Sequence, residues 1–288
     1  MATDIDNIGK FQVLGTLGTG ANSSILHIRR SEDSRQYALK VVPISDKDDL
    51  KFLDQAEHEY RVAQMFHHKN LIRIHAEEIQ KDWLFRVKKI MLLIEYVNGD
   101  TLDNVKGLNL PRLVQIFFRI ADGMGHMHRR GVYHADLKPN NIMLSKAGEV
   151  KIIDYGLSQI KGESRDRVQG TPEYMAPEQV KHKLVNERTD IYNFGSTMYR
   201  LITWRHTPNC MSMIEGMKVN ESTFNAMLKP VSEYNNEAPA SLCKLIESCL
   251  RYKAAKRPES MREIRDKLKL IAKEVVKSPE DRLEAMEW

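Results

Sequence analysis

The period of apolar and polar positions changes once along the chain, near residue 98. Before that point the runs are of β type: Phe11, Val13 and Leu14 lead into a Gly-rich turn, residues 24–28 alternate, and 37–42 are rich in β-formers. Over 46–67, Leu50, Leu53, Ala56, Tyr60 and Ala63 recur at spacings of three and four. That spacing predicts an amphipathic helix, with Glu59 on the edge of its apolar stripe. β-type runs return over 71–79 and 89–96, around a turn near Lys81-Asp82, until Asn98-Gly99-Asp100 breaks the pattern. Beyond it, Leu113, Ile116, Phe117, Ile120, Met124 and Met127 mark one long helix that Arg130-Gly131 ends. Two short strands follow, near 142–144 and 150–153, then a polar segment to about Pro177, then mainly helix after Asp190. The expectation is an α+β chain: a small antiparallel β-sheet lobe with one helix, followed by a larger, mainly helical lobe.

Composition narrows this picture. With 288 residues, 42% hydrophobic and 29% charged, the chain can bury a sizeable core, which excludes disorder over most of its length. Its 44 basic and 39 acidic residues give a net charge of +5, but the two signs are interleaved and no RNA or DNA signature accompanies them. Nucleic acid is therefore not an expected partner. No apolar stretch approaches the roughly 18 residues of a bilayer-spanning helix, and the first residues lack the basic start and apolar run of a signal peptide. These features predict a cytoplasmic protein without membrane insertion. Cys210, Cys243 and Cys249 are odd in number and form no Cys-x-x-Cys pair, so they read as reduced thiols.

Candidate chemistry is dispersed along the chain. Leu17-Gly18-Thr19-Gly20-Ala21-Asn22-Ser23-Ser24-Ile25 could bring bare backbone amides close to an anion. A dinucleotide site would need a helix directly afterwards, whereas a strand follows; a plain Gly-rich hairpin is the other reading. Lys40 lies in a strand flanked by apolar residues and needs anionic company, for which Glu59 is the natural partner. The alternative is a solvated pair. Further on come His134-Ala135-Asp136-Leu137-Lys138-Pro139-Asn140-Asn141, then Asp154-Tyr155-Gly156, then Gly170-Thr171-Pro172-Glu173-Tyr174-Met175-Ala176-Pro177-Glu178.

In this order and spacing these segments resemble a eukaryotic-like serine/threonine protein kinase catalytic domain over about residues 10–272. The resemblance implies the two-lobed kinase fold, with an N-terminal lobe over 1–97, a C-terminal lobe over 98–272 and a tail over 273–288. It implies transfer of the γ-phosphoryl group of ATP, with Mg²⁺, to Ser or Thr hydroxyls of protein substrates. Lys40 would hold the α- and β-phosphates and be held by Glu59, and Gly18, Thr19, Gly20, Ala21 and Ser23 would cover them. Asn141 and Asp154 would ligate Mg²⁺. Asp136 would orient the acceptor hydroxyl and take its proton, Lys138 would neutralise the moving phosphoryl group, and Thr171 would contact both. The adenine would lie between the lobes, against Leu17, Ile25, Ala38, Met143 and Ile94, facing backbone groups of Glu95 and Val97. Asp190 would tie down the catalytic loop, and Glu178 would pair with Arg257. Lys138 and the 170–173 segment resemble the serine/threonine branch, while 95–102 and 141–144 lean towards the bacterial members.

The chain departs from the family pattern at four places. Ala135 stands where an Arg is usual, which implies independence from activation-segment phosphorylation, including at Ser158 and Ser164. Ser23 replaces a third glycine. Tyr155 replaces a Phe and adds a hydroxyl that needs a partner if buried. Ala63 is small for its place and could loosen the helix carrying Glu59. Two other functions fit the fold: a nucleotide-binding pseudokinase scaffold, disfavoured because Lys40, Glu59, Asp136, Asn141 and Asp154 are all present, and a small-molecule phosphotransferase, disfavoured by the intact 170–178 segment. The charged 278–288 tail with Trp288 reads first as a frayed helix, with docking on the large lobe or on a partner as the alternatives, and a regulatory partner is compatible with the sequence.

Overall fold

The structure is a computed structural model that describes residues 7–8, 10–20, 22–163, 168–182, 185–211 and 220–276. The chain forms two compact units. The first takes the chain up to His67 together with Leu71–Asn98 and Asp154–Gly156; the second takes His68–Asn70, Gly99–Ile153 and the chain from Leu157 on.

The first unit is a six-stranded sheet with one helix. Strands β1 (Asn7–Ile8), β2 (Phe11–Gly20), β3 (Ser23–Arg30), β4 (Gln36–Pro43), β5 (Ile74–Lys81) and β6 (Val87–Glu95) lie in the order β1-β2-β3-β4-β6-β5, every pair antiparallel. Because side chains alternate across a strand, the sheet has two different faces. Ile28, Tyr37, Leu39 and Met91 pack on one, with Phe11, Val13, Leu26, Val41 and Leu93 against them. Register sets Ala38 opposite Ile94 and Lys40 opposite Leu92, so Ala38 and Lys40 belong to the other.

Helix α1 (Leu50–Ala63) is shorter than the predicted 46–67 and rotated relative to the predicted stripe. Its buried residues are Leu53, Ala56, Glu59, Val62 and Ala63, while Leu50 is 44% exposed. Glu59 therefore sits inside the stripe, because burial of a carboxylate is tolerable once a cation meets it. Side-chain turns explain the late start. The amides of Asp48 and Asp49 donate to Asp46 Oδ1, and the Ser45 amide donates to Asp49 Oδ2, so residues 45–49 satisfy their backbone outside a helix.

The second unit opens with β7 (Gly99–Thr101), where the sequence pattern predicts only a break. This strand pairs with β9 (Ile142–Ser145), which pairs in turn with β10 (Val150–Ile152); β8 (Val132–Tyr133) pairs with β11 (Gln159–Ile160). Around these ladders lie α2 (Leu110–His128), α3 (Pro177–His182), α4 (Glu187–Thr203), α5 (Glu221–Met227), α6 (Val231–Tyr234), α7 (Ala240–Cys249) and α8 (Met261–Val275). Asn109 caps α2 by accepting from the Arg112 amide, and Asn186 forms a reciprocal capping box with Thr189 at the start of α4. Helix α4 is buried along nearly its whole length, which makes it the pillar of the unit. Cys210, Cys243 and Cys249 are buried free thiols. No helix among the described residues is long and apolar enough to cross a membrane.

Gly99 is required by the β7–β9 contact, since a Cβ there would lie 2.1 Å from the Leu144 carbonyl oxygen and 2.5 Å from Ser145 Cα. Backbone cannot yield as a flexible side chain can. Gly99→Ala should therefore destabilise the protein by about 1–3 kcal/mol, the usual range for overpacking, read as a lower midpoint in urea at unchanged slope.

Candidate active site

The structure gathers the predicted site residues into two groups, one in each unit. The second unit holds Asp136, Lys138, Asn141, Met143 and Thr171. Its catalytic-loop candidate follows β8, where Asp190 of α4, wholly buried, accepts from the His134 amide through Oδ2 and from the Ala135 amide through Oδ1, both at 2.8 Å. His128 Nε2 lies 2.7 Å from Asp190 Oδ2. Ala135 has φ +66°, a conformation that costs a residue with a Cβ on the order of 1 kcal/mol. Hydrogen bonds to a buried carboxylate, worth about 1.5–3 kcal/mol each, more than offset that strain.

The loop so held directs Asp136 into a small network. Asp136 Oδ1 accepts from the Thr171 amide at 2.7 Å, and Oδ2 accepts from Lys138 Nζ at 2.9 Å. Lys138 Nζ also donates to Thr171 Oγ1 at 2.6 Å. Asn141 Nδ2 donates to the Asp136 carbonyl at 2.9 Å and lies 3.4 Å from its Oδ2. Those donations leave Asn141 Oδ1 as the atom able to ligate a cation. Met143 sits on β9, half-buried.

Gln179, which no sequence reading singled out, joins the loop to the 169–178 segment. Its Nε2 donates to the Ala135 carbonyl at 2.8 Å and to the Gln169 carbonyl at 2.9 Å, from a side chain that is almost wholly buried. Asn193 of α4 supports it from the other side, donating to the Tyr174 carbonyl at 2.6 Å and lying 3.4 Å from Gln179 Oε1. The only hint was position: Gln179 directly follows Ala176-Pro177-Glu178, and no periodicity marks an isolated buried amide. At the other end of this segment Arg257 grips both oxygens of Glu178, at 2.7 and 2.9 Å, and donates to the carbonyls of Arg188, Arg251 and Tyr252. Ser158 is buried, and Ser164 lies outside the described residues.

In the first unit Lys40 Nζ donates to Glu59 Oε2 at 2.6 Å. Burial alone would lower the Lys40 pKa, but the charges of Glu59 and Asp154 outweigh it and hold the ammonium above its ordinary value. Asp154 itself adopts φ +66°, and its Oδ1 accepts from the Gly156 amide at 3.2 Å. Tyr155 is buried, and its hydroxyl finds the needed partner in the Ile72 carbonyl at 3.0 Å.

The Gly-rich segment is a hairpin, with Gly18 opposite Ile25 and Gly20 opposite Ser23. A Cβ at Gly18 would meet nothing within 4 Å. Neither crowding nor a positive φ demands glycine there, so the fold itself does not explain it. Leu17 is exposed, Thr19 and Ser23 lie on the same ladder, and Ile25, Ala38 and Ile94 share its neighbouring strands. Glu95 ends β6, Val97 follows it buried, and Ala21 lies outside the described residues.

The model of the protein kinase domain family matches residues 11–276. The chain belongs to the protein kinase domain family. It is 30% identical over 244 residues to cAMP-dependent protein kinase type 3 of Saccharomyces cerevisiae, covering 83% of this chain and 59% of the relative. It is 31% identical over 203 residues to CBL-interacting protein kinase 8 of Oryza sativa subsp. japonica, covering 68% and 44%. A Streptomyces coelicolor protein named as a probable serine/threonine-protein kinase is 28% identical over 207 residues, covering 68% and 30%. The chain thus spans between about a third and three-fifths of the length of these curated relatives.

Removing the carboxylate from the Glu178–Arg257 pair would leave a buried guanidinium without its counter-charge. Glu178→Ala should lower the unfolding free energy by about 3–5 kcal/mol, measured by chemical denaturation; a change within about 0.5 kcal/mol, typical of a surface site, would contradict this.

Proposed function

We propose that this chain is a serine/threonine protein kinase acting on protein substrates with Mg-ATP. The observation that carries the reading is the Asp136–Lys138–Thr171 network, which sets a carboxylate and an ammonium beside the segment that would receive a peptide. Asp136 Oδ2 would accept the proton of the substrate hydroxyl as its oxygen attacks the γ-phosphorus and the bond to the bridging β–γ oxygen breaks. Lys138 would stabilise the transferring phosphoryl oxygens, and Lys40, fixed by Glu59, would engage the α- and β-phosphates. The open space beside Gly18 would let backbone amides approach the phosphates, and Ala38 and Ile94 would line an apolar site for adenine together with Leu17, Ile25 and Met143. The backbone of Glu95 and Val97 would face the purine edge.

The donors fit a magnesium ion. Asn141 Oδ1 and the Asp154 carboxylate are hard oxygen ligands of the kind Mg²⁺ takes beside substrate phosphates. When bound, the ion would supply positive charge against the phosphate oxygens.

We further propose that transfer does not wait for phosphorylation of the activation segment. An Arg at position 135 would need a phosphate to neutralise it; Ala135 removes that requirement, and Gln179 supports the reading by joining the loop and the segment through neutral hydrogen bonds.

With Mg-ATP and a generic basic protein, the wild-type chain should incorporate phosphate on Ser and Thr. Asp136→Asn should lose about 10²–10⁴-fold in kcat, the range of a general base, and Asp154→Ala should be inactive; nucleotide binding without transfer in the wild type would favour the pseudokinase reading. Phosphatase-treated protein and the Ser158→Ala and Ser164→Ala variants should keep their rate. A loss of about a thousandfold in any of them would refute phosphate independence. Gln179→Ala, which strands two carbonyls, should cost about tenfold in kcat with little change in KM for ATP.

A further inference from the structure

The turn between β5 and β6 raises three large apolar side chains into solvent. Trp83 is 85% exposed, Leu84 45% and Phe85 83%. They are consecutive at the apex, and apolar groups left together in this way ordinarily mark an interaction site.

The apex is built, not frayed. The Asp82 amide donates to the Arg86 carbonyl at 2.9 Å, and the Phe85 amide donates to the Asp82 carbonyl at 3.0 Å. Asp82 Oδ1 accepts from the Leu84 and Arg86 amides at 2.8 and 3.0 Å. One aspartate thus satisfies the turn from both its backbone and its side chain. Phe85 has φ +61°, so a position that turn chemistry assigns to Gly or Asn carries a phenyl ring.

The flanks are cationic. From Lys81 to Lys89 the hairpin carries Lys81, Arg86, Lys88 and Lys89 against the single carboxylate of Asp82, which lies 3.7 Å from Lys88 Nζ. At roughly 3.3 Å of rise per strand residue Lys89 stands about 13 Å behind Trp83 and Phe85, and Lys81, Arg86 and Lys88 stand about 3–10 Å behind them. That matches the depth of about 5–10 Å at which peripheral elements bury apolar groups below the headgroups.

We propose that the β5–β6 hairpin docks on anionic bilayers, with Trp83, Leu84 and Phe85 entering the headgroup–acyl boundary and Lys81, Arg86, Lys88 and Lys89 facing the lipid anions. A protein partner would have to offer a rigid cavity matched to three adjacent large side chains on a convex tip. A fluid bilayer accepts such a tip without matching, and Trp with flanking cations is the side-chain set that partitions to its interface. The inference does not rest on the kinase reading.

The test is co-sedimentation of the full chain with vesicles of phosphatidylcholine alone and of phosphatidylcholine mixed with phosphatidylglycerol. Wild-type protein should bind the mixed vesicles at least about tenfold more tightly than the neutral ones, since several cations contribute, and high salt should release it. The W83S/F85S double variant should lose at least about tenfold through its missing apolar contacts, and K81Q/R86Q, which keeps Lys88 and Lys89, should bind more weakly and with a shallower salt dependence. Circular dichroism checks the fold of each variant, and phosphate transfer to a basic protein in solution should stay at the wild-type rate. No binding to mixed vesicles, equal binding to neutral ones, or unchanged binding by W83S/F85S overturns the proposal. So does a lower mass of W83S/F85S without vesicles in size-exclusion chromatography, which would make the apex a contact between two copies of this chain.

Discussion

The second unit depends on one buried carboxylate. Asp190 lies wholly out of solvent on α4 and spends both oxygens on the backbone of residues 134 and 135, with His128 against one of them. A carboxylate is affordable there because it is met by three polar groups at once, and each of those would be orphaned without it. The same bonds hold Ala135 in the left-handed region, and that reversal of the chain turns Asp136 towards Lys138 and Thr171. A helix fixed by packing thus determines, through two amide bonds, where a carboxylate two residues further on must point.

The first unit solves an analogous problem with charge. Glu59 is buried and Lys40 half-buried, and a carboxylate so placed would not be tolerable without its cation. Their contact ties β4 to α1, and Asp154 adds a second negative charge near the ammonium. With Glu59 bonded to it and the charge of Asp154 nearby, the lysine stays protonated at neutral pH. The cation is therefore present before any ligand arrives.

Much of this was legible in the residues. The strand runs and the long helix with Leu113, Phe117 and Met124 follow from local pattern, and the Gly-rich, Lys40, Asp136 and Asp154 segments are read through their resemblance to the protein kinase family. What escaped was set by distant partners. Strand β7 is three residues long and exists because Gly99 lets it approach Leu144 and Ser145. Residues 98–100 therefore look like a break to any local rule. Glu59 looked marginal on the helix because a polar side chain is assigned outward unless its partner is known. Gln179 left no periodic trace, since a single buried amide has a role only in relation to the carbonyls of Ala135 and Gln169.

The small Ala63 would be expected to leave α1 loosely held, because an apolar side chain near the end of the helix normally supplies contact area there. The structure compensates with directional bonds. Gln64 Nε2 donates to the Ile74 carbonyl at 2.8 Å, and Phe66 meets the Tyr155 ring edge-on at 5.1 Å, while the Tyr155 hydroxyl is fixed on Ile72. The hydroxyl that distinguishes Tyr155 from phenylalanine is thus part of the same anchorage as the alanine that departs from the usual size. A hydrogen bond to a buried carbonyl has a narrow range of acceptable distances and angles, whereas dispersion contact tolerates sliding. The bond from Gln64 to the Ile74 carbonyl is a directed contact of this kind at the end of α1, one turn beyond Glu59. Ala63 closes α1, and the Tyr155 hydroxyl is anchored on Ile72 while its ring meets Phe66 just beyond that helix.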